Sequence, residues 1–286
     1  METQAIALAR NLTKYYSDFW GRKKTLALDG LDLEIKQSGV FGLLGPNGSG
    51  KTTLVKLMLG LIFPTSGEIS IFGQNPSSPN ARSRIGYLPE ESSLHKFMSA
   101  EETLRFHGQL HGMSRRLIKS RADELLEKLD LHEARKRRVS EYSKGMARRL
   151  GLACALVHTP EFLILDEPTS GLDPLGSRKV REMLLHLKKD GTTILMCSHL
   201  LSEIESSCDT IAILDHGRLV KSGTVSELLT RMDMLSIVLR DVSSENFEKY
   251  RRILESAGAA IETVTHPSMT LEELFMQLIA KGEEKA

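Results

Sequence analysis

Long apolar runs are missing from this sequence. The most extended, such as Leu152 to Val157, fall far short of the ~18 residues a helix needs to cross a bilayer. Any work at a membrane is therefore expected to pass through a partner. The N-terminus, METQAIALARNLTKYY, lacks a charged head followed by an apolar stretch and a cleavage site, which argues against a secretory leader. Cysteine is scarce. Cys154, Cys197 and Cys208 are odd in number and form no CxxC pair, which argues against a disulfide framework or a zinc site of the usual spacing. They read as small apolar residues of a reducing compartment. An excess of one charge is absent too. Lys and Arg number 38 against 37 Asp and Glu, a net charge of +1, so the footprint of a general nucleic-acid binder is not there. Aromatics are few at 5%, and the one Trp, Trp20, sits in the stretch from Ser17 to Lys24, which reads as a loop.

What is there is an average globular composition. With 286 residues, 26% charged and 41% hydrophobic, the chain is long enough for one large domain or two ordinary ones, and disorder is not expected. Ala5–Leu8 and Leu26–Ile35 alternate like strands, with Asp29-Gly30 as a turn signal inside the second. Val40 to Leu44 is a short apolar run that reads as a buried strand. After a glycine-rich stretch, Leu54, Leu57, Met58 and Leu61 follow at helical spacing. From about Gly86 to His158 the character is helical. Ser99-x-x-Glu102 is a capping-box pattern, and Leu125, Leu126 and Leu129 continue an apolar face. The basic cluster Arg135 to Arg138 reads as a solvated helix end. Phe162–Leu165 is a second apolar run. Val180, Met183, Leu184 and Leu187 form a helix face that stops at Gly191. Thr192–Met196 and Thr210–Leu214 read as further strands. Strands alternating with helices predict an α/β sheet of mostly parallel strands. From about Met234 the pattern restarts: a strand at Leu235–Leu239, a helix bearing Phe247, Tyr250 and Leu254, a strand at Ala259–Val264, and a last helix capped by Thr270 and Glu273.

Two segments carry chemistry. Gly45-Pro46-Asn47-Gly48-Ser49-Gly50-Lys51-Thr52, with Thr53 next, matches G-x-x-x-x-G-K-[ST] between a strand and a helix. The glycines let backbone N–H groups turn toward phosphate oxygens, and the helix points its positive end at the same anion. Lys51 is placed to reach the β- and γ-phosphates, and Thr52 to offer a hydroxyl to Mg²⁺. Phe162-Leu163-Ile164-Leu165-Asp166-Glu167 is the companion: a buried strand delivers carboxylates to its C-terminal end, where ligands of open sheets collect. Asp166 is then a candidate to hold Mg²⁺ through water, and Glu167 to polarise an attacking water.

With these motifs the chain resembles the ATP-binding subunits of ABC transporters. GPNGSGKTT resembles the Walker A motif and FLILDE the Walker B motif. Tyr142-Ser143-Lys144-Gly145-Met146 sits where the family has its LSGGQ signature, and Ser170-Gly171-Leu172-Asp173 resembles the D-loop. Ser198-His199 resembles the switch histidine, and Tyr16 stands where an aromatic stacks on adenine, with Tyr15 as its competitor. The resemblance covers residues 1 to about 232. It implies a RecA-like P-loop NTPase core with an N-terminal antiparallel β portion, an inserted helical subdomain (about 86–158) and a small C-terminal α/β extension (233–286). It also implies two ATP molecules, with Mg²⁺, held head to tail between two copies, as a homodimer or a heterodimer. Ser143 and Gly145 of one copy would complete the site of the other, Asp173 of the D-loop would be among the nucleotide-binding residues, and His199 would contact the γ-phosphate. A separate multi-span permease would carry the pore and dock around Tyr87–Met98. The subunit would lie peripherally on the cytoplasmic face of the membrane, without nucleic acid as a partner.

Two positions depart from the family pattern. The signature reads YSKGM, so Lys144 and Met146 differ. After Ile85–Pro89 the family usually has glutamine, whose oxygen meets Mg²⁺; here Glu90 stands, an acid able to ligate a hard cation but adding negative charge beside triphosphate. The YSKGM signature, Glu90 and the short tail resemble exporter-type subunits. The competing readings are a soluble ABC-type ATPase acting on nucleic acid or ribosomes, a regulatory ATP-binding module and a P-loop kinase. The single Walker A motif and the lack of sustained heptads and CxxC count against the first, Glu167 against the second and the signature against the third.

Overall fold

Alternating apolar residues build the first two strands, β1 (Ala5–Ser17) and β2 (Lys23–Lys36), which pair antiparallel. Asp29-Gly30 is not a turn between shorter strands. Gly30 takes φ +59° inside β2 as a bulge. The reason lies in the spacing of the leucines. Leu28 and Leu31 are three apart, yet both are buried, and only an inserted residue brings both to one face of a strand. Asn11 at φ +45° does the same for Ala9 and Leu12 in β1.

The computed structural model describes residues 5–17, 23–91, 93–198, 200–229, 244–258 and 261. Along these run β3 (Val40–Leu44), α1 (Lys51–Met58), β4 (Ser66–Ile71), α2 (Pro79–Ser83), β5 (Ile85–Leu88), α3 (Ala100–Leu110), α4 (Arg115–Lys128), α5 (Lys144–Leu156), β6 (Phe162–Asp166), α6 (Pro174–Lys189), β7 (Thr193–Cys197), α7 (Leu201–Ser207), β8 (Thr210–Asp215), β9 (Arg218–Thr224), α8 (Val225–Leu229) and α9 (Ser244–Ser256). The chain divides into two compact units, Met1–Leu229 and Thr230–Ala286. The second contains α9, which carries Phe247, Tyr250 and Leu254. The strand expected at Leu235–Leu239, most of that at Ala259–Val264, the last helix from Thr270, and Trp20 lie outside the described residues.

One sheet is antiparallel, in the order β2-β1-β4. The other runs β5-β6-β7-β3-β8-β9, parallel except for β9, which returns against β8 through the His216-Gly217 turn. The fold is thus the expected α/β core with an antiparallel portion near the N-terminus. The continuous apolar runs of the parallel strands have a direct cause. Phe162 and Ile164 of β6 pack with α1 and the antiparallel sheet, while Leu163 and Leu165 pack with α3 to α6. A strand covered on both faces has no polar face to present.

Three expectations change. Ile85–Leu88 pairs with β6 in the core sheet, so the helical stretch begins at Ala100 rather than near Gly86. β4 and β9 were not foreseen. Their partners β1 and β8 decide their pairing, although Glu68-Ile69-Ser70-Ile71 does alternate. Arg135–Arg138 is not a helix end, since α4 stops at Lys128. Arg135 is instead an anchor, bound to Asp123 at 2.6 Å and to Glu101 at 3.3 Å.

Candidate functional site

Strand β3 ends at Leu44, and the glycine-rich segment turns from it into α1. Three of its glycines have positive φ: Gly45 at +152°, Gly48 at +82° and Gly50 at +106°. At Gly45 and Gly50 space as well as backbone demands glycine. A Cβ would lie 2.3 Å from the Leu214 carbonyl at Gly45 and 2.6 Å from the Ala27 carbonyl at Gly50. The loop is tied to its surroundings by Ser49 N–H donating to Pro46 O at 3.2 Å and Gly217 N–H donating to Ser49 O at 3.0 Å. Lys51 Nζ donates to Gly45 O at 2.6 Å and Pro46 O at 3.0 Å, which holds the ammonium within the loop. Asn47 and Thr52 are exposed, whereas the Ser49 hydroxyl is buried without a hydrogen-bond partner. Tyr16 OH lies 3.4 Å from Thr53 Oγ1, so its ring stands beside the start of α1, and Lys14 Nζ is 5.6 Å from the ring centre.

The acids converge on the same edge. The parallel strands all end on the side where β3 delivers the loop, so β5 leads to Glu90 and β6 to Asp166 and Glu167. Burial pushes the Asp166 carboxyl up, and the charges of Glu90 and Glu167 push the same way; Arg148 and Lys51 oppose them. Glu167 is held with φ +53°, a left-handed conformation rare for a residue with a side chain and common at functional sites. Its N–H donates to Cys197 O at 2.8 Å, and its carbonyl accepts from Ser170 N at 3.1 Å. Ser198 Oγ lies 3.4 Å from Glu167 Oε2 and 3.2 Å from Glu203 Oε2, so one hydroxyl proton serves two carboxylates. Glu203 also accepts from the Thr169 hydroxyl. His199 lies outside the described residues. Thr52, Asp166 and Glu90 together offer oxygen donors only, the kind that suits Mg²⁺. The described residues hold no cluster of three or more His, Cys, Asp or Glu able to bind a metal by themselves. A site built around Mg²⁺ needs only one or two carboxylates beside phosphate oxygens.

The YSKGM segment leads into α5. Ser143 caps α5, its hydroxyl accepting from Met146 N at 3.1 Å. Tyr142 OH donates to Ala134 O at 2.9 Å. No hydrogen bond joins Ser143 or Gly145 to residues 45–53 among the described residues. Lys144 and Gly145 instead neighbour the D-loop: the Lys144 side chain lies over Gly171, and a Cβ at Gly145 would lie 3.4 Å from Leu172. Asp173 caps α6 by accepting from Gly176 N at 3.0 Å. Sequence reasoning missed Arg148, which lies on the first turns of α5 and is only 5% exposed. It also missed the Ser198–Glu203–Thr169 group. No local pattern marks either.

The three cysteines are free and buried, and burial pushes the thiols of Cys154 and Cys208 up to about 12. They are packing residues.

Comparison with known proteins agrees with this geometry. Residues 28–170 match the family described as ABC transporter. An uncharacterized ABC transporter ATP-binding protein of Nostoc is 44% identical over 230 residues, covering 79% of this chain and 69% of that protein. A daunorubicin resistance ATP-binding protein, DrrA3 of Streptomyces coeruleorubidus, is 36% identical across 91% of this chain and 92% of its own. A Nod factor export ATP-binding protein of Cupriavidus metallidurans is 39% identical across 79% and 73%. Among solved structures, a dimeric ATP-binding cassette in a post-hydrolysis state with ADP and Pi superposes with a TM-score of 0.70 at 25% identity, over 77% of this chain and 98% of that one. On the loop between β3 and α1, the acids after β6 and these likenesses together, the chain belongs to the ATP-binding subunits of ABC transporters.

Proposed function

We propose that this subunit hydrolyses ATP at sites shared between two copies and that the hydrolysis drives export through a separate membrane permease. The observation that carries the reading is the gathering of the glycine-rich loop, Asp166 and Glu167 at one edge of the parallel sheet. No helix among the described residues is long and apolar enough to cross a membrane, so the path for the exported compound is assigned to the partner. Relatives named for daunorubicin resistance and for Nod factor export support export as the direction.

The chemistry follows from the residues. The loop N–H groups and Lys51 bind the phosphates, and Tyr16 stacks on the base. Thr52, Asp166 and Glu90 would hold Mg²⁺, which would neutralise phosphate charge when bound. Glu167 orients the attacking water and accepts its proton, and His199 contacts the γ-phosphate. Positioning and charge stabilisation do most of the work in phosphoryl transfer, so a rigid sheet edge is a fitting platform. Ser143 and Gly145, at the N-terminus of α5, complete the phosphate site of the opposite copy, and Asp173 contributes from the neighbouring D-loop. The dimer lies peripherally on the cytoplasmic face of the membrane, held there by the permease.

Glu167→Gln tests the reading. Steady-state hydrolysis should fall about 10²- to 10⁴-fold while ATP affinity is kept. Hydrolysis at the parent rate would remove Glu167 from its role.

A further inference from the structure

We propose that Arg148 is a positioning residue of the nucleotide site: its buried guanidinium ties the segment after β5 to the end of β6 and offsets the negative charge that Glu90 adds there. The inference rests on the proposed reading of Glu90 and Asp166 as groups that face Mg²⁺ and the triphosphate.

The geometry is specific. Arg148 Nη1 donates to the carbonyls of Pro89 and Glu90, the latter at 2.9 Å. Nη2 donates to the carbonyls of Asp166 and Glu167, the latter at 2.6 Å. One side chain thus holds four consecutive-pair carbonyls from two neighbouring strand ends, and Nε is left buried without a partner. The planar fork of arginine suits this bridging, whereas an ammonium offers no such two-sided geometry. The Nη2 bond to Glu167 O also holds the peptide of the one acid in left-handed conformation at the site.

The electrostatics explain why a cation is buried here. Taking a guanidinium out of water costs several kcal/mol unless opposite charge surrounds it. Burial accordingly lowers the Arg148 pKa, and Asp166, Glu167 and Glu90 act against that. The carbonyls that Arg148 binds include those of Glu90, Asp166 and Glu167, so the guanidinium is fixed beside the three acids of the site. Without Arg148, the acid at position 90 would face the triphosphate with Lys51 as the remaining cation described at this edge.

Four full-length proteins test this: the parent, Arg148→Gln, Glu90→Gln and the double variant. Their affinities for ATP with EDTA and for ATP with Mg²⁺ are measured by calorimetry, with melting temperatures alongside. Arg148→Gln should weaken binding of metal-free ATP roughly tenfold and of Mg²⁺-ATP less, because the metal-free nucleotide carries more negative charge. Adding Glu90→Gln should restore affinity to within about twofold of Glu90→Gln alone. An arginine that only fills space would lower the melting temperature and leave the ratio of the two affinities unchanged. Equal losses with and without Glu90→Gln, or no loss, would overturn the proposal. If Arg148→Gln does not fold, Arg148→Lys serves. It keeps the charge, so the affinity ratio should stay at the parent value while hydrolysis falls, and a shifted ratio would count against the idea. Asp166→Asn separates the two levels. Unchanged Mg²⁺ dependence in that variant would defeat the metal reading, whereas independent effects of Arg148 and Glu90 with normal Asp166 behaviour would defeat only the inference.

Discussion

At the scale of single residues, the site is held by backbone geometry as much as by side-chain chemistry. Gly45 and Gly50 adopt conformations in which any Cβ would strike a carbonyl, and Glu167 adopts one that a side chain disfavours. Away from the site, His158 shows how packing sets a protonation state. Its ring stacks on His111 with centroids 3.7 Å apart, and its Nε2 lies 3.1 Å from Ile85 O. Burial, helped by the neighbouring His111, lowers its pKa from 6.5 to about 4. The folded imidazole is thus neutral where the unfolded one is protonated. Between pH 6.5 and 4 the unfolded chain binds the extra proton, so this contribution to stability is present above pH 6.5 and is lost as pH falls toward 4. Allowing for the partial exposure of the ring, it amounts to about 2 kcal/mol. Urea denaturation across that range should show a shallower acid loss for His158→Gln than for the parent, and identical slopes would refute the assignment.

At the scale of elements, β3, β6, β7 and β8 of the central sheet were legible because each is a short, continuous apolar run. Val40–Leu44 and Phe162–Leu165 needed only a window of five residues to be found. Their two-sided burial was implicit in the same run, since a strand with one wet face would alternate. Leu163→Ala and Ile164→Ala, on opposite faces of β6, should each lower stability by about 2–5 kcal/mol, as cavities in close-packed cores do. Denaturant midpoints would check this, and a much smaller loss at either site would mean that its face is not core. The capping box at Ser99 was equally legible: Ser99 N–H donates to Glu102 Oε2 at 2.8 Å, and the Ser99 hydroxyl accepts from Glu102 N–H at 3.3 Å. β4 was harder to see. It is largely exposed and owes its pairing to β1, which lies some sixty residues earlier in the chain. Asp29-Gly30 predicts a turn because local sequence cannot distinguish a turn from a bulge. The burial of both Leu28 and Leu31 decides it.

At the scale of the whole molecule, the proposed sharing of sites between two copies assigns the YSKGM segment to the interface, and among the described residues no hydrogen bond joins it to the glycine-rich loop of its own copy. Ser143 and Lys144 are exposed at the start of a helix of 13 residues, and the Lys144 side chain lies over Gly171 of the D-loop. In a Glu167→Gln background, Ser143→Arg should abolish ATP-dependent dimerisation in size-exclusion chromatography while a single copy still binds nucleotide. A dimer that persists unchanged would remove the signature from the interface.

The local pieces are legible in contiguous residues: a strand, a glycine-rich loop and a helix in succession, and a pair of acids at the end of an apolar strand. Each depends on contiguous residues whose backbone preferences and apolar spacing are set within a few positions. Only the tertiary structure decided what surrounds them. Arg148 reaches carbonyls 58 and 19 positions away in the chain. The left-handed backbone of Glu167, the Ser198–Glu167 and Thr169–Glu203 contacts and the bulge in β2 likewise arise where distant segments meet. Such contacts depend on which strand ends lie side by side, and strand order is a property of the folded sheet that no short stretch of sequence encodes.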